Sequence, residues 1–252
     1  RPTPDQTSLN QEVLGGSNGL FRSTTSFETA TNNSDLVVDY GYQDYDSFRP
    51  HSGSRKNFVH VTGDASIGDR QTISGYFSYA NSMEQLAGEI DSAPFYDRQA
   101  VSNPLYLAND SHIAINSVIA GVTDHYNLGG QFSNSTTLFA TSRTMNQPFA
   151  HGFTDNTQFN VGARTVFGYD ARVGSNGLTG SLGALVQRSN VATNGVFIIP
   201  APPFPERPTD QENHATNGSI FTEWSLAMAH QLTLTAGASL NKNSFAIHDM
   251  LK

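Results

Sequence analysis

The sequence predicts an all-β chain of antiparallel strands that form the wall of a transmembrane β-barrel. Three observations carry this. Stretches of about ten residues alternate apolar and polar side chains with period two, the pattern of a strand that shows different surroundings on its two faces. The stretches are joined by connections that alternate between short and long. The chain is also poor in two classes of residue at once: 37% is hydrophobic and only 14% charged, over 252 residues. Soluble domains average about 25% charged residues. Here roughly a third of the chain is Ser, Thr, Asn or Gln instead.

The same composition excludes other classes. The chain has 16 Phe, 9 Tyr and 1 Trp, which is too aromatic for disorder driven by low hydrophobicity. No apolar run approaches the 18 or so residues of a membrane helix. A net charge of −8 offers no nucleic-acid footprint, so no nucleic-acid partner is expected. The absence of Cys removes disulfides, thiolate metal sites and thiol catalysis. The chain starts at Arg1 with no targeting segment to read.

About eleven strands follow in order. Ser8–Gly16 and Leu20–Ala30 alternate weakly. In the next, Leu36, Val38, Tyr40 and Tyr42 oppose Val37, Asp39, Gly41 and Gln43. Val59, Val61, Ala65 and Ile67 then oppose His60, Thr62, Asp64 and Ser66. Ile73, Phe77 and Tyr79 oppose Thr72, Ser74, Tyr76 and Ser78. His112–Tyr126 and Gly130–Thr144 read as strands whose lipid-facing side the sequence leaves open. Phe159–Asp170 sets Phe159, Val161, Ala163, Phe167 and Tyr169 against Asn160, Gly162, Arg164, Gly168 and Asp170. Leu178–Ser189 is weaker. In Ile220–His230 the apolar face is Ile220, Trp224, Leu226 and Met228. The last strand is the cleanest: Leu232, Leu234, Ala236, Ala238 and Leu240 alternate with Thr233, Thr235, Gly237, Ser239 and Asn241. No segment has a convincing 3.6-residue period.

Short connections fall at 31–34, 68–70, 127–129, 171–177 and near Gln231, all of turn type or direct reversals. Long loops are expected at 45–56, 81–111, 146–157 and 190–216, the last with Pro200, Pro202, Pro203, Pro205 and Pro208. Compact soluble domains seldom carry structureless loops beyond about 12–15 residues, whereas membrane barrels have short turns on one side and long loops on the other. The polar faces carry Ser, Thr, Asn and Gly rather than Lys and Glu, which suits a wet, crowded lumen. The apolar faces carry almost no charge. Tyr40, Tyr42, Tyr79, Phe167, Tyr169 and Trp224 stand at or near strand ends, where interfacial aromatics sit. A long soluble β-sandwich or a β-helix is the competing architecture, and the pattern favours the barrel.

The stretch Asp44-Tyr45-Asp46-Ser47-Phe48-Arg49-Pro50-His51-Ser52 resembles the aromatic-Arg-x-His-Ser segment of the second extracellular hairpin of TonB-dependent outer-membrane receptors. Arg1-Pro2 resembles the basic-Pro step that ends the plug domain of that family. Ala93–Asp110, with Asn103-Pro104, resembles the long third loop of its siderophore-type members, and His112–Tyr126 the returning strand. The resemblance implies a barrel of about 22 strands around an N-terminal plug. Eleven strands are half of that, so residues 1–7 are expected to link plug to barrel and residues 8–252 to form the N-terminal half of the barrel. The plug, the segment that meets the TonB complex and the closing strand are expected to lie outside these residues.

No catalytic set emerges. The eight histidines form no HExxH or HxH array, and there is no GxSxG. Gly174, Gly177, Gly180 and Gly183 recur at every third residue and read as a turn followed by small lumen-facing positions. The resemblance therefore implies a transporter, not an enzyme, with no cofactor or metal of its own. Its ligand would be a ferric siderophore or similar iron chelate, and its surroundings the outer-membrane lipid of a Gram-negative bacterium. Two loops hold the candidate ligand-binding residues: Tyr45, Phe48, Arg49, His51 and Arg55 in one, Phe95, Tyr96, Arg98 and Tyr106 in the next. Arg forks suit carboxylate-rich chelates and aromatic rings supply rigid contact area. Arg49 and His51 serve equally well as latches that hold a loop down. A passive porin-like channel and a soluble or surface β-rich binding module are the rival functions.

Overall fold

The computed structural model describes residues 7–97, 100–174, 176–198, 206–228 and 232–251. Arg1-Pro2, Arg98 and the Pro-rich stretch 199–205 lie outside the described residues. The described residues form one eleven-stranded sheet in sequence order: β1 (Thr7–Gly15), β2 (Phe21–Ala30), β3 (Ser34–Tyr45), β4 (Ser54–Ile67), β5 (Gln71–Gln85), β6 (His112–Gly129), β7 (Phe132–Phe149), β8 (Gly152–Val173), β9 (Asn176–Ile198), β10 (Glu206–Met228) and β11 (Leu232–Asp249). Every neighbouring pair is antiparallel, and among the described residues β1 and β11 do not pair. Two short helices, α1 (Ser92–Tyr96) and α2 (Pro104–Ala108), sit between β5 and β6.

Directly paired residues share a face, so the register can be followed across the sheet. One row runs Leu36, Gly63, Gly75, Val122, Leu138, Ala163, Val186. This row assigns the two strands the sequence left open. Val118, Ala120 and Val122 of β6, and Leu138 and Ala140 of β7, join the apolar face. The sequence was ambiguous because Ile113, Ile115, Ile119 and Phe139 lie on the opposite face, which makes both sides of these strands partly apolar.

The described residues form no conventional core. Among the described apolar residues only Ala30, Ala87 and Ala171 are buried, while Leu138, Val186 and Ile220 are more than half exposed. The accessible surface is 16063 Å², against about 11,000 Å² for a compact monomer of this mass. A soluble sandwich would pack its apolar faces on each other; here the apolar face is uncovered. It also has the dimensions of a bilayer. On β8, ten residues separate Phe159 from Tyr169, roughly 33 Å along the strand. Tilted by about 40°, that is about 25 Å along the membrane normal, the height of a barrel's apolar band. At the lower edge Phe132, Tyr169 and Trp224 stand in one row, with ring centroids 5.1 and 6.0 Å apart.

Several glycines are explained by the ring across from them. Phe139 lies over Gly162, Phe221 over Gly183, Phe58 over Gly41 and Trp224 over Gly180, each pair being direct cross-strand partners. The rings cover backbone that glycine leaves bare. The glycines spaced by three therefore do not all face the lumen as expected: Gly183 does, but Gly180 lies under Trp224 on the outward face, because odd spacing alternates faces.

The two ends of the sheet differ. At one end β2–β3, β4–β5 and β6–β7 are joined by two or three residues. At the other lie the connections 16–20, 46–53 and 86–111. The expected loops at 146–157 and 190–216 are mostly strand instead. Only Ala150 and His151 separate β7 from β8, and β9 and β10 leave just 199–205 between them. Strands of 22 and 23 residues reach far past the roughly ten needed to span a bilayer. Past the apolar band the two faces of these strands no longer differ in hydropathy, while the ladder continues. That is why these segments read as loop.

Candidate functional site

The long-connection end holds most of the sequence-predicted site residues, interlocked from loop to loop. Asp46 N–H donates to Asn18 O at 3.1 Å, and the Asp46 carboxylate lies over Gly19, whose φ of +71° suits glycine. The 46–53 loop then reaches the 86–111 loop. Arg49 donates from Nε to Val101 O at 2.8 Å, and from Nη2 to Gly88 O at 2.9 Å and Ala87 O at 3.3 Å. His51 donates from Nε2 to Ser111 O at 2.8 Å, with Asp110 Oδ1 at 3.8 Å. Ser102 Oγ donates to Pro50 O, and Ser52 Oγ to Arg49 O at 2.8 Å. His51 adopts φ +54° and Ser47 φ +70°. A non-glycine residue pays about 1–2 kcal/mol for that region, offset at His51 by the hydrogen bond it allows.

Inside the second loop, Asn103 caps α2 by accepting from Leu105 N at 2.9 Å, with Pro104 at the first helical position, where it needs no partner for an N–H. These single-turn helices escape a periodicity reading because they are shorter than one hydrophobic repeat. Tyr106 lies flat against Gly88, where a Cβ would stand 2.5 Å from its ring. Burial, with Glu89 beside it, pushes the Tyr106 hydroxyl above its ordinary pKa. The loop continues outward through Asn109, which donates to Ala150 O at 2.8 Å, and Ile198 N–H donates to His151 O at 2.7 Å.

The candidate residues thus divide. Arg49 and His51 spend their donors on backbone carbonyls. Tyr106 is half-buried against Gly88, and Tyr45 is half-buried at the end of β3. Phe48, Phe95 and Tyr96 are exposed at 67%, 65% and 79%, the last two edge to face at 5.5 Å. Arg55 is on β4, not in the loop, and pairs with Asp44 at 3.5 Å on the outward face. Its parity with Val59 and Val61 is the signal that places it there. The carbonyls of Ala87, Gly88, Val101 and Ser111, to which the latches bind, have no signature in sequence. No group of three or more potential metal ligands occurs among the described residues.

An antiparallel sheet with one apolar face, one polar face, turns at one end and interlocked loops at the other has the fold of an open section of an outer-membrane-type β-barrel. The particular resemblance is to solved ferric-siderophore receptors. The chain is similar to the ferric citrate transporter FecA in its unliganded form, with a TM-score of 0.76, 12% identity, and coverage of 100% of this chain and 40% of that one. It is similar to the ferric-catecholate import receptor Fiu of E. coli K12 (TM-score 0.74, 10% identity, 98% and 46%). It is also similar to FpvA of P. aeruginosa in complex with an iron-loaded pyoverdine (TM-score 0.78, 10% identity, 99% and 38%). The chain spans less than half the length of these structures. They are transport receptors, not enzymes. No protein-family model and no curated protein sequence matches the chain.

Proposed function

We propose that this chain is the first half of the barrel of an outer-membrane receptor that takes up a scarce nutrient, a ferric siderophore or another iron chelate, by energy-coupled transport. The observation that carries this reading is the sheet itself: a bilayer-high apolar face on one side, with loops knitted together at one end. In this reading residues 1–7 join a preceding plug domain, and the TonB complex acts through that plug. Phe48, Phe95 and Tyr96 offer ring surface to the arriving ligand, while Arg49, His51 and Tyr106 hold the loops that present them. The test is growth under iron starvation of a strain lacking the gene, on a panel of ferric chelates, with and without the full-length gene restored. Loss of growth on one chelate, recovered on complementation, is expected. Equal growth on every chelate and on other scarce nutrients contradicts the uptake function.

A further inference from the structure

His112, the first residue of β6, has both ring nitrogens against oxygens that only accept. Nδ1 stands 2.6 Å from the backbone carbonyl oxygen of Asp110, and Nε2 stands 3.1 Å from Asn146 Oδ1 on β7. The Asn146 amide is held in that orientation, because its Nδ2 donates to Asp155 Oδ1 on β8 at 2.6 Å. Turned over, its oxygen would face that carboxylate. A neutral imidazole carries one N–H and one lone pair. In either tautomer, one nitrogen of His112 would set its lone pair against a lone pair on oxygen. The imidazolium form donates from both nitrogens. His51, on the other side of Asp110, differs: its Nε2 meets Ser111 O, and a single N–H satisfies that contact. Water is a poor substitute partner here, since Ser111 is fully buried and the His112 side chain is only 16% exposed.

The charges around the ring favour the cation. Asp110 Oδ2 lies 3.8 Å from Nδ1, and Asp155 stands behind the Asn146 amide. The other Asp110 oxygen is 3.8 Å from His51 Nε2. β5 sets the uncharged Gln85 directly opposite His112, while Glu84 is on the lumenal face and bound to Lys56. We infer that His112 is a proton-binding site that fastens the 86–111 loop to the strands beside it. As imidazolium it ties the Asp110 carbonyl to Asn146 and, through Asn146, to Asp155. As neutral imidazole it releases one of the two. Asp110 has φ +46°, in the left-handed region, so its turn depends on contacts of this kind. Histidine in water changes charge at about pH 6.5. The fastened state binds the proton, so the fastening is complete in acid and is lost as pH rises. The same loop carries Phe95 and Tyr96 on α1, and their presentation follows pH with it. The inference rests on the loop geometry alone and stands whether or not the chain serves uptake of an iron chelate.

The experiment uses the full-length protein in detergent and follows amide hydrogen exchange at about pH 5.5 and about pH 8.5, on either side of the imidazole range. Each rate is divided by the intrinsic amide rate at that pH. The Asp110 and Ser111 amides donate to Leu107 O and Tyr106 O. They are expected to be about tenfold more protected in acid, the scale of one charge-assisted hydrogen bond. His112→Gln keeps a donor but has no titrating proton, and should show equal protection at the two pH values. His51→Gln should keep the difference. No difference in wild type, one that survives His112→Gln, or one abolished by His51→Gln overturns the site. Exchange of the imidazole ring-carbon hydrogen, read by mass spectrometry on the wild type, needs no variant. His112 is expected to be the more cationic of the two histidines across this range. A His112 no more cationic than His51 overturns the site as well.

Discussion

Arg49 donates to the carbonyl oxygen of Gly88 across 39 residues of sequence, at 2.9 Å, and so fastens the 46–53 loop onto the 86–111 loop. Hydrogen bonds from a charged donor contribute about 1.5–3 kcal/mol each, and leaving buried carbonyls unsatisfied costs more than the mean bond. Arg49→Ala should therefore lower the opening free energy of the 86–111 loop by about 2 kcal/mol, or roughly thirtyfold in exchange rate. Hydrogen exchange at Asn103, Leu107 and Ser111 amides reads this directly. Unchanged exchange there, with folding intact, contradicts the latch.

Phe139 and Gly162 act as one unit. A Cβ at position 162 would stand 2.4 Å from the Phe139 ring and 2.8 Å from Val186 O. Gly162→Ala should destabilise by about 1–3 kcal/mol through overpacking. Phe139→Ala should reduce the cost of Gly162→Ala, giving a coupling energy of about 1 kcal/mol in a double-mutant cycle. Only part is recovered, because the Val186 carbonyl remains.

A charge placed at mid-height on the outward face should be costly. Leu138→Arg stands among Val122, Ala140 and Ala163 and should cost about 2–4 kcal/mol in folding into lipid. Thr137→Arg, one residue along on the lumenal face, should cost much less. Heat-modifiable migration and denaturant titration in vesicles of the full-length protein compare the two.

Phe95→Ala/Tyr96→Ala should weaken ligand binding by about tenfold or more, since each aromatic contact contributes on the order of 1 kcal/mol beyond its area. Both rings are exposed and in contact mainly with each other, so thermal stability should hold. Binding unchanged by the double variant removes α1 from the ligand surface.

Much of the fold is legible because one face of most strands keeps a strict apolar period of two. β11 reads cleanly since Leu232, Leu234, Ala236, Ala238 and Leu240 alternate with small polar residues throughout. β6 does not, because Ile113, Ile115 and Ile119 make its lumenal face apolar as well. The upper parts of β8, β9 and β10 fail for a different reason: their two faces are alike in hydropathy, so the ladder and not an apolar period defines them. At the site, sequence brings Arg49 and His51 into view but leaves two roles open, and the carbonyls to which both donate have no signature in sequence. Arg55 is misplaced by proximity in sequence and recovered by strand parity.

The central claim is that the Leu138–Val186 side of this sheet faces lipid and the other side a wet lumen. These residues contain no Cys, so single cysteines at Thr137, Leu138, Val186 and Gln187 can be read without interference from this stretch. In membranes holding the full-length protein, cysteines at 138 and 186 should react with a bilayer-confined maleimide, and those at 137 and 187 with a water-soluble one. Equal labelling of all four by the water-soluble reagent would contradict the barrel.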